Sequence, residues 1–310
     1  MEFSAVVHAQ LGNVPDYIEP GRLHRFSTNG KRGDKSGWCK IYDDMLGGTY
    51  GDWREQSKFN WSALDRDRLT TTERTAQLLA ITETKKRRHA EQQVEYEKHA
   101  ERIKQMWSET VAVTSGDPVA LYLRNRGLAG PVPECLRLHR RAIYWGEGER
   151  STHPAMIAPL IGSDGRLLAL HRTYLTTDGQ KANVATVKKV TSAAGPLIGA
   201  CIPLFRPKDG VIGVAEGIET AIAGNLGSGI PTMAAYSASG LAGFIWPLGV
   251  NRIVVFADAD TAGANAAQAL KTRAVRAGLK VNVVTPSTPG ADWCDVWARH
   301  GAARNIEVQS

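Results

Sequence analysis

Two short acidic motifs in the last third of the chain have the residue types for metal-assisted chemistry on phosphates. Glu216-Gly217-Ile218-Glu219-Thr220 directly follows the apolar run Val211–Ala215, and Asp258-Ala259-Asp260 directly follows the apolar run 253–257. Carboxylates brought together repel one another, and a hard divalent cation relieves that repulsion. Two such ions can activate an attacking hydroxyl and stabilise charge developing on a phosphate. Glycine at 217 allows a tight strand-to-helix turn, and Glu219 then falls on a helical face neighbouring that of Glu216. Asp258 and Asp260 point to one side of the chain if it is still extended there. Each motif alone is weakly specific, since an acid after a strand also serves as a helix N-cap. Together, ending two apolar strands within one α/β stretch, they favour the catalytic reading.

The elements around these motifs alternate. After the strand at Val211–Ala215 the pattern predicts a helix over 220–226 ending in Gly227, a strand over 231–235 and a short helix over 239–244. A strand over 252–257, an Ala-rich helix over 263–277 closed by Gly278, a strand over 281–284 and a last helix over 292–299 follow. Strands that are apolar throughout, separated by helices, imply a parallel, Rossmann-like sheet buried on both faces. In such sheets chemistry gathers at the carboxyl ends of the strands. This unit is placed at 206–310. Ser239-Gly240, near a helix start, is read as an ordinary cap in preference to a phosphate site.

Upstream, 111–205 reads as an α+β segment. Asp117-Pro118 starts a helix through Tyr122, Leu123 and Arg124 that stops at Gly127. Strands over 155–161 and 167–174, with turns at Ser163-Asp164-Gly165 and Asp178-Gly179, form an antiparallel element bearing His171, Arg172, Lys181, Lys188 and Lys189. Residues 69–110 are a charged helical linker; 71–108 lack Gly and Pro and predict a long, largely solvated helix or helical pair, Lys85-Lys86-Arg87-Arg88 included. Residues 1–68 read as a small β-rich module with basic residues (Arg22, Arg25, Lys31, Arg32, Lys35, Arg54, Lys58) among its rings. Aromatic faces with interleaved cations suit stacking on unpaired bases, although most of the rings are expected in the core.

At 43% hydrophobic and 22% charged residues the chain has the composition of a globular protein, and it contains no run apolar enough to span a membrane. Met1-Glu2-Phe3-Ser4 does not open a signal peptide. Cys39, Cys135, Cys201 and Cys294 are scattered, which argues against a zinc ribbon or a disulfide framework and fits a reducing cytoplasm. The net charge is +7 among 310 residues, and 111–205 supplies most of it, with eleven Lys/Arg against six Asp/Glu. Such a surface attracts polyanions.

The order strand, E-G-x-x-T/D, strand, D-x-D, helix resembles the Toprim fold of DnaG-type primases, topoisomerases and some nucleases. Glu216-Gly217-Ile218-Glu219-Thr220-Ala221 is similar to the E-G-Y-A-T-A motif of conjugative-plasmid (TraC-type) and satellite-phage primases. Leu170-His171-Arg172-Thr173-Tyr174-Leu175, Asp178-Gly179-Gln180-Lys181-Ala182, Gly21-Arg22-Leu23-His24-Arg25-Phe26 and Gly51-Asp52-Trp53 resemble other parts of phage and plasmid primase-like proteins. The resemblance implies a C-terminal Toprim catalytic domain, a primase-core subdomain before it and a template-binding role for the amino-terminal module. Glu216 would be the essential acid, and Glu216, Asp258 and Asp260 would hold Mg²⁺ or Mn²⁺, with Glu219, Asp292 and Asp295 as further candidate ligands. Arg172 and Lys181, with Lys188 and Lys189 after them, would meet nucleotide or template; His171 is the weaker candidate, read as structural.

The implied activity is synthesis of short RNA primers from ribonucleoside triphosphates on single-stranded DNA. A Toprim nuclease, or a non-catalytic single-strand-binding protein, is the alternative. The cysteine zinc ribbon frequent in such primases is missing and no zinc is expected. No G-x-x-x-x-G-K-[ST] helicase motif occurs either, so any replicative helicase would be a separate partner.

Overall fold

The computed structural model describes residues 2–31, 33–55, 57–63, 71–146 and 148–299. The chain divides into two compact units, Met1–Arg88 and His89–Ser310. The expectation for Arg32 lies outside the described residues.

In the first unit α1 (Phe3–Leu11) lies against an antiparallel meander of β1 (His24–Phe26), β2 (Gly37–Ile41), β3 (Gly47–Asp52) and β4 (Ser57–Ser62), in that order. Strand alternation sorts the rings. Cys39, Tyr50 and Phe59 are cross-strand partners and pack with Phe3 and Val7 of α1. One residue along, Arg25, Trp38, Gly51 and Lys58 align across the other face. There Trp53 stacks on Trp38 with ring centroids 5.7 Å apart, and the Arg25 guanidinium lies 4.5 Å from the Trp53 ring centroid. Gly51 is needed for this close packing: a Cβ would stand 1.9 Å from the Ser57 carbonyl oxygen and 2.9 Å from the Trp38 ring. Most rings are core, as their number in so small a module implies; Tyr17 and Trp53, at 72% and 46% exposure, are exposed. The sequence reading missed α1, a nine-residue helix with a weak apolar stripe that the sheet stabilises by packing.

Helix α2 (Thr71–Ser108) is a single helix, not a pair. Within the first unit Arg88 departs from the expected solvated run, since its guanidinium lies 4.5 Å from the Tyr42 ring centroid and 3.7 Å from the Asp43 carboxylate. Within the second unit Ile103 is buried, with Met106 and Trp107 beside it, against Ala142, Tyr144, Ile157 and Tyr174.

The second unit holds two sheets. The first is antiparallel, ordered β5 (Val111–Ala112), β6 (Arg137–Gly146), β7 (Glu149–Ile161), β8 (Leu167–Tyr174) and β9 (Lys188–Val190). Strand β6 was not legible in sequence, because Arg137, His139, Arg140 and Arg141 dilute its apolar pattern and a register shift between His139 and Ala142 interrupts its alternation. The second sheet is parallel throughout, ordered β11 (Thr232–Ala234), β10 (Val211–Ala215), β12 (Arg252–Phe256) and β13 (Lys280–Val284). Helix α4 (Ile218–Ser228) joins α3 (Pro118–Asn125) in a core with Ala215, Val254 and Phe256. Helices α5 (Ala238–Gly243) and α6 (Thr261–Arg276) cover the other face through Leu241, Phe244, Leu270 and Ala274 on Ile212, Val214, Ile253 and Val255. Helix α4 runs through Gly227, where the sequence suggested a stop, to a left-handed cap at Gly229 (φ 71°).

Cys201 and Ile202 tie the sheets together. Cys201 and Ile161 exchange backbone hydrogen bonds of 2.8 and 3.0 Å, and Ile202 and Ala234 exchange bonds of 2.7 and 3.1 Å. The basic strands are thereby fixed against the parallel sheet. Among the described residues no helix is long and apolar enough to cross a membrane.

Candidate active site

From β10 the chain winds out to β11, then returns to place β12 on the other side of β10. This reversal opens a crevice at the carboxyl ends of β10 and β12, where ligands of such sheets bind. The registered pairing of Ala215 with Phe256 brings Glu216 and Asp258 to that edge together.

Their surroundings are charged and only half open to water. Burial, then the negative charges of Glu216, Asp292 and Asp260, push the Asp258 carboxyl up to about 7, against the pull of Lys188. Burial and Asp260 raise Glu216 as well, while the Ala238 backbone N–H and Lys188 hold it back. One Asp258 oxygen, Oδ1, is buried without a hydrogen-bond partner. Asp260 caps α6, its Oδ1 accepting from the Gly263 N–H at 2.7 Å. Glycine at 263 is required because a Cβ would stand 2.7 Å from the Asp258 carbonyl oxygen. Backbone bonds from Ala259 to Ala291 (3.0 Å) and from Gly290 to Ala259 (2.7 Å) draw Asp292 toward the cluster. Asp292 Oδ1 also accepts from the Asp295 N–H at 2.8 Å and so caps the helix over 293–299. Asp295 lies 3.6 Å from Arg126.

Glu219 faces elsewhere. Buried in the first turn of α4, it accepts the Tyr122 hydroxyl at 2.6 Å on Oε1 and the Lys188 ammonium at 2.9 Å on Oε2. Burial would raise its carboxyl, yet Lys188 and the Tyr122 hydrogen bond hold it down to about 2. Tyr122 is the one member that sequence reasoning named only as part of a helix. Its role depends on a partner 97 residues away, and no local signal reveals it.

The basic residues divide. Lys188, paired with Thr173 across β8 and β9, points to Glu219 and the acidic cluster. Arg172 and Lys189 pair on the opposite face: Arg172 lies 5.7 Å from the Tyr174 ring centroid, and Lys189 lies 4.0 Å from the Tyr144 ring centroid and donates to the Trp145 carbonyl at 2.6 Å. Lys181 is exposed, bridged through its backbone to Leu175. His171 is buried, and burial with the nearby Lys188 ammonium pushes its imidazole down to about 4, so it is neutral near pH 7. The backbone N–H groups around Ser239-Gly240 are already engaged, Gly240 with Ser237 Oγ at 3.0 Å and Ala238 with Glu216.

Among the described residues no three His, Cys, Asp or Glu side chains converge closely enough to hold a metal ion by themselves. The donor set nevertheless fits a hard cation: it is all carboxylate oxygen, one buried oxygen lacks a partner, and the raised carboxyls are the groups a cation would relieve. Mg²⁺ is commonly held by one or two carboxylates, with water and substrate phosphate completing its shell.

Residues 211–303 match the family model described as Toprim domain, and residues 97–201 match one described as Domain of unknown function (DUF7146). The parallel sheet with its acidic crevice is a Toprim domain, and the protein carries it behind the module that matches the domain of unknown function. Solved structures similar to the chain include a DNA primase domain from Pseudomonas aeruginosa, 18% identical, covering 55% of this chain and 56% of that one with a TM-score of 0.36. The primase fragment of the bacteriophage T7 primase-helicase protein is 16% identical, covering 64% and 72% with a TM-score of 0.38. The Aquifex aeolicus primase, in a structure of its zinc-binding and RNA polymerase domains, is 11% identical, covering 97% and 81% with a TM-score of 0.40. The chain spans only 56% of the length of the first of these. A search of curated proteins returned no match.

Proposed function

We propose that this protein is a DNA primase-type nucleotidyltransferase that joins ribonucleotides on a single-stranded DNA template, as plasmid- and phage-borne primases of this fold do. The observation that carries the reading is the charge coupling of Glu216, Asp258 and Asp260 at the carboxyl edge of the parallel sheet, with Lys188 of the basic antiparallel sheet acting on the first two. Acids that hold a metal ion and a cationic side chain that meets a phosphate are two components nucleotidyl transfer needs. Glu216 and Asp258, with Asp260 beside them, would hold Mg²⁺ or Mn²⁺. The bound cation would neutralise charge on the α-phosphate and favour ionisation of the attacking hydroxyl.

In the reaction, the 3′-hydroxyl oxygen of one nucleotide forms a bond to the α-phosphorus of the next. The bond from that phosphorus to the bridging oxygen breaks, pyrophosphate leaves with the electron pair, and the hydroxyl proton passes to solvent. Lys188 would orient the triphosphate, and the half-burial of Glu216 and Asp258 would limit competing water. In the first unit, Arg25, Lys58 and the Trp53–Trp38 stack form a cationic aromatic face suited to unpaired template bases.

The test is primer synthesis on single-stranded DNA with labelled ribonucleotides and Mg²⁺ or Mn²⁺. Metal-dependent products from the wild type, lost in Glu216→Ala and Asp260→Ala, are expected. Cleavage of nucleic acid without added nucleotides would identify a nuclease, and binding unaffected by Glu216→Ala with no product under any template or metal would identify a non-catalytic binder.

A further inference from the structure

Glu216 and Glu219 are one helical turn apart, and their surroundings differ in kind. Burial and Asp260 raise the affinity of Glu216 for a proton, Glu216 in turn raises that of Asp258, and the same negative surroundings would raise affinity for a cation. Glu219 is turned inward, and each of its oxygens already accepts a short hydrogen bond, one from Tyr122 and one from Lys188. A carboxylate with both oxygens engaged by fixed donors is poorly placed to enter a metal shell. Two acids pushed in opposite directions by their environments do different work.

Lys188 is the link between them. Its side chain is 42% exposed, whereas that of Glu219 is 6% exposed, so the ammonium stands at the lip of the crevice while its anchor is buried. An ammonium carries three donors, and Glu219 takes one. Lys188 also acts on Glu216 and Asp258, and without its anchor, pairing there would occupy the oxygens a cation needs. Held by Glu219, the charge sits beside the acids with donors left for a phosphate that enters the crevice.

We propose that Glu219 is a positioning residue and not a metal ligand: braced by Tyr122, it holds Lys188 so that the ammonium receives phosphate oxygens of the incoming nucleoside triphosphate beside Glu216 and Asp258. This rests on the nucleotidyltransferase reading and specifies how one side of that site is built. It also makes the site composite, since α3 and β9 of the module before the Toprim domain supply Tyr122 and Lys188.

The experiment compares wild type with Glu219→Gln, Lys188→Gln, Lys188→Arg and the Glu219→Gln/Lys188→Gln double variant. Three binding measurements are made on the full chain: Mn²⁺ without nucleotide by electron paramagnetic resonance, a triphosphate with a non-hydrolysable α,β bridge in the presence of Mn²⁺, and a single-stranded oligonucleotide. Melting curves verify folding. Glu219→Gln and Lys188→Gln are each expected to weaken triphosphate binding about tenfold, the scale of one charge-assisted hydrogen bond. The double variant should be no weaker than the worse single variant, and Lys188→Arg should retain most of the binding. Mn²⁺ affinity should stay within about twofold in all four, and oligonucleotide binding should be unchanged, because neither involves the Glu219–Lys188 pair.

A tenfold loss of Mn²⁺ affinity in Glu219→Gln would make Glu219 a metal ligand and overturn the proposal. Losses that multiply in the double variant would show the two acting separately and overturn it too. A loss confined to the oligonucleotide would assign Lys188 to the nucleic-acid backbone, against the proposal. Should Glu219→Gln not fold, the partly exposed Lys188 variants decide: loss in Gln with recovery in Arg supports the assignment, and no change in either overturns it. A wild type that takes up Mn²⁺ but no triphosphate defeats the nucleotidyltransferase reading itself, a result distinct from any change among the variants.

Discussion

Lys188 and Lys189 are neighbours in the chain and serve opposite faces of one strand. Lys188 Nζ donates to Glu219 Oε2 at 2.9 Å, toward the acidic crevice, while Lys189 Nζ donates to the Trp145 carbonyl at 2.6 Å and lies over the Tyr144 ring. The period of two along a strand makes this division unavoidable once β9 pairs with β8. Lys188→Gln should therefore weaken nucleoside triphosphate binding about tenfold, and Lys189→Gln should change it by less than about twofold. Isothermal titration of both variants checks this, and equal losses would contradict the division of faces.

Asp258 gives a prediction about the cost of the site. Its carboxyl titrates near 7 in the folded protein, above its usual range near 4, because burial and three neighbouring acids disfavour the charge. The folded state therefore binds more protons than the unfolded state between those values. Stability from this group is fully present below about pH 4 and is lost as pH rises through 7. In chelator, Asp258→Asn should lack that loss and melt higher than the wild type at pH 8, by roughly 2–4 °C if about 1 kcal/mol is recovered. Mg²⁺ should raise the wild-type melting temperature and leave the variant unmoved, and primer synthesis should fall in the variant by at least about a hundredfold. A variant that melts lower than the wild type in chelator at pH 8 would contradict the strain assigned to the cluster.

Tyr122 is expected to matter for stability because its hydroxyl satisfies a buried carboxylate at 2.6 Å. Tyr122→Phe should cost about 1.5–3 kcal/mol, the range for hydrogen bonds to charged groups. Urea unfolding followed by circular dichroism would measure it. A cost under about 0.5 kcal/mol, the ordinary range of surface changes, would show that Glu219 does not depend on this bond.

The first unit supplies a test of template binding. Trp53 is 46% exposed between Trp38 and Arg25, and base–aromatic stacking contributes about 1–3 kcal/mol per base. Trp53→Ala should weaken single-stranded DNA binding by about five- to a hundredfold with the salt dependence kept. Arg25→Ala and Lys58→Ala should instead flatten that dependence, each removing about one phosphate contact from the slope. Fluorescence anisotropy across a salt series separates the two effects. Unchanged affinity in Trp53→Ala would remove this face from the binding surface.

Much of the Toprim domain was legible because its information is local. Val211–Ala215 and 253–257 are apolar without alternation, each is followed at once by its acids, and burial on both faces leaves such strands few alternatives. The helix starts were legible within two or three residues, since caps such as Asp260 act through bonds to their own next turn. Strand β6 was not, because its arginines and histidine hide a pattern that only pairing with β7 reveals. Helix α1 was not, because its stripe is too weak to declare itself without the sheet it covers.

The sequence by itself determined which carboxylates end which strands, since strand, turn and acid follow one another within a few residues. What each acid meets was decided only by the tertiary structure. Asp258 keeps an unpartnered oxygen in a negative crevice, and Glu219, three residues from Glu216, is engaged by a tyrosine 97 residues before it and a lysine 31 residues before it. A hydrogen bond holds over about 3 Å whatever the separation in sequence, so it is decided when the elements pack, and here packing assigned one glutamate to the open crevice and the other to the lysine.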